Sequence, residues 1–112
     1  DRILLYAAIQ YLSTKEVLAL FHSLVRWLKP HGLLYVGDIP DKQRLWNFYN
    51  TEARRATYFE NLAQGKDIVG TWFEPIWLQH LGRFVGFSDV RIIYQPEYMI
   101  YNHYRFEAVL EK

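Results

Sequence analysis

The sequence contains no cysteine among its 112 residues. This absence excludes disulfides, thiolate metal sites and cysteine nucleophiles, and it fits a reducing, cytoplasmic compartment. An excess of charge of one sign is also lacking, because 13 basic and 12 acidic residues leave a formal net charge of +1. A near-neutral, evenly mixed chain argues against a nucleic-acid or anionic-membrane partner. No apolar run approaches the ~20 residues that a membrane span needs.

Catalytic and metal-binding motifs are equally scarce. None of the four histidines lies at metal-ligand spacing from another histidine or a carboxylate, so we expect no metal site. No nucleophile constellation is visible, because Ser13 occupies a helix-cap position and Ser23 has no evident histidine–acid partners. A glycine-rich phosphate or nucleotide loop is missing too, and the chain starts directly on an apolar run. We therefore expect this chain to be the second half of a larger unit.

Aromatic residues, by contrast, are abundant: four Trp, nine Tyr and seven Phe. A chain of this size forms one small domain at most, and burial on folding is limited at that size. A small domain rarely needs so many rings for its core alone. We expect part of this aromatic set to line a pocket or an interface.

The first part of the chain reads as strand, loop, helix, strand. Apolar runs over Arg2–Tyr6 and 33–37 predict two buried parallel strands. Between them, Ser13 and Glu16 form a capping-box pattern, which predicts a helix that ends near Leu28. This order is typical of a parallel α/β sheet, in which ligands bind at the carboxyl ends of the strands.

Two further helices and a hairpin are predicted downstream. Gly32 is expected to take a positive φ in the turn before the second strand. Asp41 is predicted to cap a helix running to about Ala63, and Pro75 to begin a helix that ends at Gly86. The last of these helices should bury one apolar face, formed by Ile76, Trp77, Leu81, Phe84 and Val85. Segments 90–94 and 104–110 are predicted strands, antiparallel because their connection is too short for a crossover helix.

Three groups of residues carry a resemblance to a known family. Residues 1–11, DRILLYAAIQY, are similar to a strand followed by a loop of small and aromatic residues. Residues 28–38, LKPHGLLYVGD, are similar to a Leu-Lys-Pro-Gly-Gly turn and its strand, with His31 in place of the first glycine. Residues 72–73 lead into a helix, a Gly-Phe corner at 85–87 and two strands. In this order and spacing, the chain resembles the C-terminal half of a class I S-adenosylmethionine-dependent methyltransferase.

The resemblance covers nearly all of the chain. It implies a Rossmann-like half-sheet with parallel strands, a final antiparallel hairpin and helices on both faces. Residues 1–112 would form a partial methyltransferase domain, within which 41–71 is an insertion that covers the substrate. The parent enzyme would transfer a methyl group from S-adenosylmethionine to a small-molecule acceptor.

The loop after the first strand is the implied cofactor contact. The resemblance places it beside the methionine and sulfonium of S-adenosylmethionine, through Tyr6, Ala7, Ala8, Gln10 and Tyr11. The alternative is that Ala7 and Ala8 are small because a helix packs there. The family's glycine-rich loop and its ribose-binding acidic residue are both missing from the 112 residues, so we expect these residues alone to bind the cofactor weakly or not at all.

The implied acceptor site lies around the second strand and the insertion. Asp38 ends that strand and is either a substrate contact or a turn residue. Four rings, Trp46, Tyr49, Tyr58 and Trp72, would form an aromatic pocket for a flat or cationic acceptor, or else the core of their own helix. His103 begins the last strand and is a further candidate to face the substrate.

Two functions remain open at this point. The chain is part of a small-molecule methyltransferase and inactive in isolation, or it is a non-catalytic binding or assembly module derived from a truncated methyltransferase fold. In either case the apolar strand Arg2–Tyr6 would form an unprotected sheet edge. We therefore expect self-association or pairing with a missing N-terminal half.

Overall fold

The computed structural model describes residues 1–112 and contains one four-stranded sheet. The strands are β1 (Arg2–Tyr6), β2 (Leu33–Pro40), β3 (Asp89–Tyr94) and β4 (Arg105–Glu111). Their order in the sheet is β1-β2-β4-β3, with β1 and β2 parallel and both contacts of β4 antiparallel. The predicted α/β class, with parallel strands and a final antiparallel hairpin, is confirmed.

The helices are α1 (Thr14–Trp27), α2 (Leu45–Phe48), α3 (Glu52–Ala63) and α4 (Pro75–Val85). Short 3₁₀ turns span Ile9–Tyr11 and Lys42–Arg44. None of the helices has both the length and the apolar character required to cross a bilayer.

Local sequence determines the start of α1 as predicted. Ser13 Oγ accepts the N–H of Glu16 at 3.2 Å, and the Glu16 carboxylate accepts the N–H of Ser13 at 2.9 Å. This reciprocal pair satisfies two of the free N–H groups at the helix start. The hydrogen bond from the Ser13 N–H, together with a smaller effect of the Ser13 hydroxyl, lowers the pKa of the Glu16 carboxyl.

The turn after α1 differs from the prediction at one residue. We expected a positive φ at Gly32, but the structure has it at His31, with φ of 65°. Gly32 is needed for another reason: a Cβ there would lie 2.6 Å from Asp1 Oδ1 and 2.9 Å from the Lys29 carbonyl oxygen. Glycine is therefore required by the close approach of the chain start rather than by its backbone angle.

The prediction of one continuous helix from Asp41 to Ala63 is wrong. Asp41 caps only the 3₁₀ turn, and after α2 the backbone leaves the helical region at Tyr49, with φ of −88° and ψ of 69°. Thr51 then starts α3, because its hydroxyl accepts the N–H of Arg54 at 3.1 Å. A threonine in an extended conformation competes with helix continuation by capping a new helix.

The core lies between α1, α4 and one face of the sheet. The predicted core face of α4 is correct at Leu81 and Val85 but wrong at Ile76 and Phe84, which are exposed. The helix approaches the sheet at Gly82, where a Cβ would lie 2.6 Å from Val90 Cγ2. This close contact turns the helix so that its inward stripe is Leu78, Leu81, Gly82 and Val85. The helix ends at Gly86 as predicted, with φ of 119°.

The opposite face of the sheet is uncovered within these residues. Helices α1 and α4 both pack on the first face, so the expectation of helices on both faces is met on one face only. Leu4, which points to the second face, is 65% exposed, and Tyr6 on the same strand and Ile93 on β3, at the other edge of the sheet, are also exposed. Strand β1 also has no partner on its outer side.

Candidate cofactor and acceptor site

The parallel pairing of β1 with β2 ends at Tyr6 and Gly37, but the prediction that the second strand ends before Asp38 is wrong, because β2 continues through a bulge at 37–38 to Pro40. Tyr6 pairs with Gly37, and the Ala7 N–H donates to the Gly37 carbonyl at 3.0 Å. The residue that follows each member of this last pair has a left-handed backbone, with φ of 50° at Ala7 and 58° at Asp38. Side-chain-bearing residues adopt this conformation at a cost of about 1–3 kcal/mol, and such strain concentrates at functional sites.

Residues 70–71 hold the loop after β1 in place. The Thr71 N–H donates to the Gln10 carbonyl at 2.8 Å, and a Cβ at Gly70 would collide with that carbonyl. Gln10 is buried, and its side-chain Oε1 has no hydrogen-bond partner. Ala7 and Ala8 are half-buried, whereas Tyr6 and Tyr11 are exposed. The loop therefore offers small side chains and one unused buried acceptor.

Asp38 lies in a buried polar cluster rather than in open space. Its Oδ1 accepts from Gln95 Nε2 at 3.1 Å, and its carbonyl accepts from Arg105 Nη1 at 2.8 Å. The Arg105 guanidinium lies 3.5 Å from the Asp38 carboxylate, and the Asp38 N–H donates to Glu107 Oε2 at 2.9 Å, so a second buried carboxylate adjoins this ion pair. Burial raises the pKa of Tyr35, and the neighbouring Glu107 carboxylate adds to this effect. In this arrangement the Asp38 carboxylate orients its neighbours.

Aromatic rings form a continuous band at the same edge. We call this the aromatic band; successive ring centroids are 4.8 to 6.1 Å apart. Its members, in order of contact, are Trp46, Tyr58, Tyr49, Trp72, Tyr104 and Tyr101. The His103 ring lies 4.8 Å from that of Tyr104, and the Arg105 guanidinium lies 5.0 Å from the same ring. All the predicted acceptor residues thus belong to this band or adjoin it through Arg105.

The sequence matches no protein-family model and no curated protein. Its structure does match solved structures over the whole of the chain. One is an O-methyltransferase from Nostoc punctiforme PCC 73102, at a TM-score of 0.68 and 18% identity. Another is a SAM-dependent methyltransferase from Archaeoglobus fulgidus, at 0.70 and 11%. A third is an O-methyltransferase family protein from Burkholderia thailandensis, at 0.61 and 16%.

The chain has part of the fold of class I S-adenosylmethionine-dependent methyltransferases. It covers 31%, 59% and 30% of the three matched chains, while all of its own length is covered. At these identities the likeness is one of fold.

Sequence reasoning missed Asp67, which organises residues 41–71, the segment predicted to be an insertion. Its carboxylate accepts the Tyr49 hydroxyl, the Trp72 indole N–H and the Val69 N–H, each at 2.9 Å. Two rings of the aromatic band are therefore fixed by one carboxylate. The only local signal was an aspartate two residues before the N–H that it captures, which is typical of an Asx turn.

Tyr49 provides a test of this arrangement by alkaline titration. Burial raises the pKa of Tyr49 above its ordinary value of 10.0, and the hydrogen bond to Asp67 raises it further. Because the unfolded tyrosine ionises first, the folded state holds more protons above pH ~10 and stability falls as pH rises. We expect Tyr49→Phe to make this fall shallower in denaturant titrations at several pH values. The control is Tyr98→Phe, which replaces an exposed tyrosine. If Tyr49→Phe left the dependence of stability on pH unchanged, the raised pKa of Tyr49 would be contradicted.

Hydrogen exchange tests the insertion of residues 41–71 as a separate unit. Helix α3 has no buried residue, whereas Leu34 and Val36 in β2 are fully buried. Segments with little buried apolar surface open at low free energy. We expect amides of α3 to exchange before those of 33–36. Equal protection in the two segments would rule out independent opening of the insertion.

Proposed function

We propose that this chain is the C-terminal part of a methyltransferase that transfers a methyl group from S-adenosylmethionine to a small-molecule acceptor, and that it is inactive in isolation. The observation that carries this proposal is the pair of left-handed residues Ala7 and Asp38, which lies where the pairing of β1 with β2 ends, beside the aromatic band on a methyltransferase fold. Ligands of open α/β sheets bind at such strand ends.

The residues of the loop after β1 fit one end of the cofactor. Ala7 and Ala8 leave the backbone accessible, and the unpartnered Gln10 Oε1 can accept a hydrogen bond from a ligand donor. Tyr6 and Tyr11 are proposed to flank this contact. When bound, S-adenosylmethionine would supply an electrophilic methyl group.

The residues of the acceptor side align and desolvate the acceptor. Trp46, Tyr49 and Trp72 would exclude water from its flat surface, and His103 would close the band next to Tyr104. Asp38 is proposed to hold Arg105 and Gln95 in place next to the aromatic band. Alignment in a dry pocket supplies much of the rate when the acceptor atom is already nucleophilic. The absence of a catalytic triad is compatible with this chemistry. The cytoplasmic location stays a prediction from the lack of cysteine.

A second candidate is a non-catalytic binding or assembly module. The specific observation in its favour is the uncovered sheet face with the unpaired β1 edge. Such a surface fits a chain whose task is to pair with another polypeptide. The two candidates differ in whether the neighbouring coding sequence supplies a cofactor-binding half.

Calorimetric titration with S-adenosylmethionine separates the two candidates. We expect no saturable binding to the 112 residues alone, because the segment that should hold the adenosine is not among them. A longer polypeptide that includes a glycine-rich strand–turn–helix encoded before Asp1 should bind with a micromolar Kd, about −8 kcal/mol. Micromolar binding to the 112 residues alone would show that the glycine-rich half is dispensable. A gene that begins near Asp1 would favour the module.

A further inference from the structure

A pocket of about 280 Å³ lies within the insertion, between α3 and the loop that follows it. Its lining residues are Phe48, Tyr49, Ala53, Arg54, Thr57 and Ile68. The walls are therefore mainly apolar and partly aromatic, as in sites for small organic ligands, and the volume suits a compact ligand. Arg54 is the one charged residue among them.

The polar groups of this pocket, apart from Arg54, are already occupied. The Tyr49 hydroxyl donates to Asp67 at 2.9 Å, and the Thr57 hydroxyl donates to the Ala53 carbonyl at 3.0 Å. Both Asp67 carboxylate oxygens accept donors from elsewhere in the insertion. A ligand would therefore find few hydrogen-bonding groups here other than the guanidinium.

Arg54 is held in place but is not neutralised. Its Nη1 donates to the Phe48 carbonyl at 2.7 Å, and the guanidinium lies 4.6 Å from the centre of the Phe48 ring. None of the ion pairs of the chain includes Arg54. Its remaining N–H groups have the planar fork geometry that suits a carboxylate.

We propose that this pocket binds small aromatic carboxylates. The ring matches the apolar and aromatic walls, and the carboxylate pairs with the Arg54 guanidinium. A cationic ligand would be repelled by Arg54, and a neutral one would gain nothing from it. The identification of this ligand as the methyl acceptor rests on the proposed function; its binding does not.

The test is a titration of the isotope-labelled 112-residue chain, followed by amide chemical shifts of 48–57 and 68. The probe is 4-hydroxybenzoate, and the matched neutral probe is 4-hydroxybenzyl alcohol. We expect saturable shifts with the carboxylate and a Kd at least about tenfold weaker for the alcohol, the factor for one lost charge-assisted contact. Equal affinity for the two probes, or no saturation by ~10 mM carboxylate, would overturn the proposal.

Two variants of the chain assign the charge contact to Arg54. Arg54→Gln should weaken carboxylate binding by about tenfold or more, whereas Arg55→Gln, its neighbour outside the pocket, should stay within about twofold. Arg54→Gln also loses the hydrogen bond to the Phe48 carbonyl, so a second variant is needed that leaves this bond in place. Ile68→Asp serves, because Ile68 lines the pocket and is exposed. The added negative charge should abolish carboxylate binding without unfolding α3. Undiminished binding in either pocket variant would contradict the proposal. No cofactor takes part in these measurements, so they succeed or fail independently of methyl transfer.

Discussion

Replacing Arg105 with methionine is expected to lower the free energy of unfolding by about 3–5 kcal/mol. Arg105 is 8% exposed and contacts Asp38, which is 6% exposed, through the carbonyl at 2.8 Å and the carboxylate at 3.5 Å. Without the guanidinium, the Asp38 carboxylate keeps only its hydrogen bond from Gln95 and stays buried, with the buried Glu107 carboxylate close by. Removing one partner of a buried ion pair costs more than the pair itself contributes, because an uncompensated charge stays in the interior.

Urea denaturation of three variants checks this expectation. The control, Arg91→Met, removes a largely exposed ion pair between Arg91 and Asp89. It should lower the free energy of unfolding by less than about 1 kcal/mol. Asp38→Asn combined with Arg105→Met should recover part of the lost stability, because the unpaired Asp38 charge is then removed as well. Asparagine also tolerates the left-handed backbone at residue 38. A loss below about 1 kcal/mol for Arg105→Met alone would show that water reaches the cluster.

The parts of the fold that depend on neighbouring residues were predictable. The capping box of Ser13 and Glu16, the apolar run of β1 and the Gly86 helix end were all found from the sequence, because each is decided within a few residues. The break at Thr51 was not, because the same hydroxyl can sit on a helix or cap one. The inward face of α4 also escaped, since the close approach of Gly82 to Val90 comes from tertiary packing.

The candidate site shows the same division. Sequence patterns selected Ala7 and Asp38 as strand-end residues, but missed the bulge through which β2 continues past Asp38 and the left-handed backbone that the two residues share. The contacts that organise the site join distant parts of the chain: Arg105 reaches Asp38 across 67 positions, and Tyr49 reaches Asp67 across 18. Single-sequence patterns carry no information on such pairs. Charged residues that the fold buries are therefore the part of a site that sequence reasoning finds last.

Self-association of the 112 residues is the second large effect that we expect. Strand β1 is an unpaired edge without proline, and the sheet face beside it is uncovered. A largely apolar cleft of about 390 Å³ lies beside β1 on this side of the sheet, lined by Arg2, Ile3, Leu4, Leu33, Tyr35 and Val109. Natural sheets protect such edges, and soluble monomers avoid such patches. Pairing with a second copy through a two-fold axis is the simplest closed arrangement.

Sedimentation at micromolar concentration tests this expectation with a variant that the structure selects. A lysine at Ile3 would be ambiguous, because Ile3 packs against the core, whereas Leu4 is 65% exposed on the uncovered face. We expect Leu4→Lys to shift the chain towards monomer, because a charge must then be desolvated at the interface. The control is Trp27→Lys, at a similarly exposed site at the end of α1, which should leave association unchanged.

The gain from covering the face must exceed the entropy cost of association, so the burial has to approach the ~1,200 Å² of a specific interface. A longer polypeptide with an N-terminal half that covers the same face should sediment as a monomer. A folded, monomeric wild-type chain of 112 residues would contradict both the exposed edge and the half-domain interpretation.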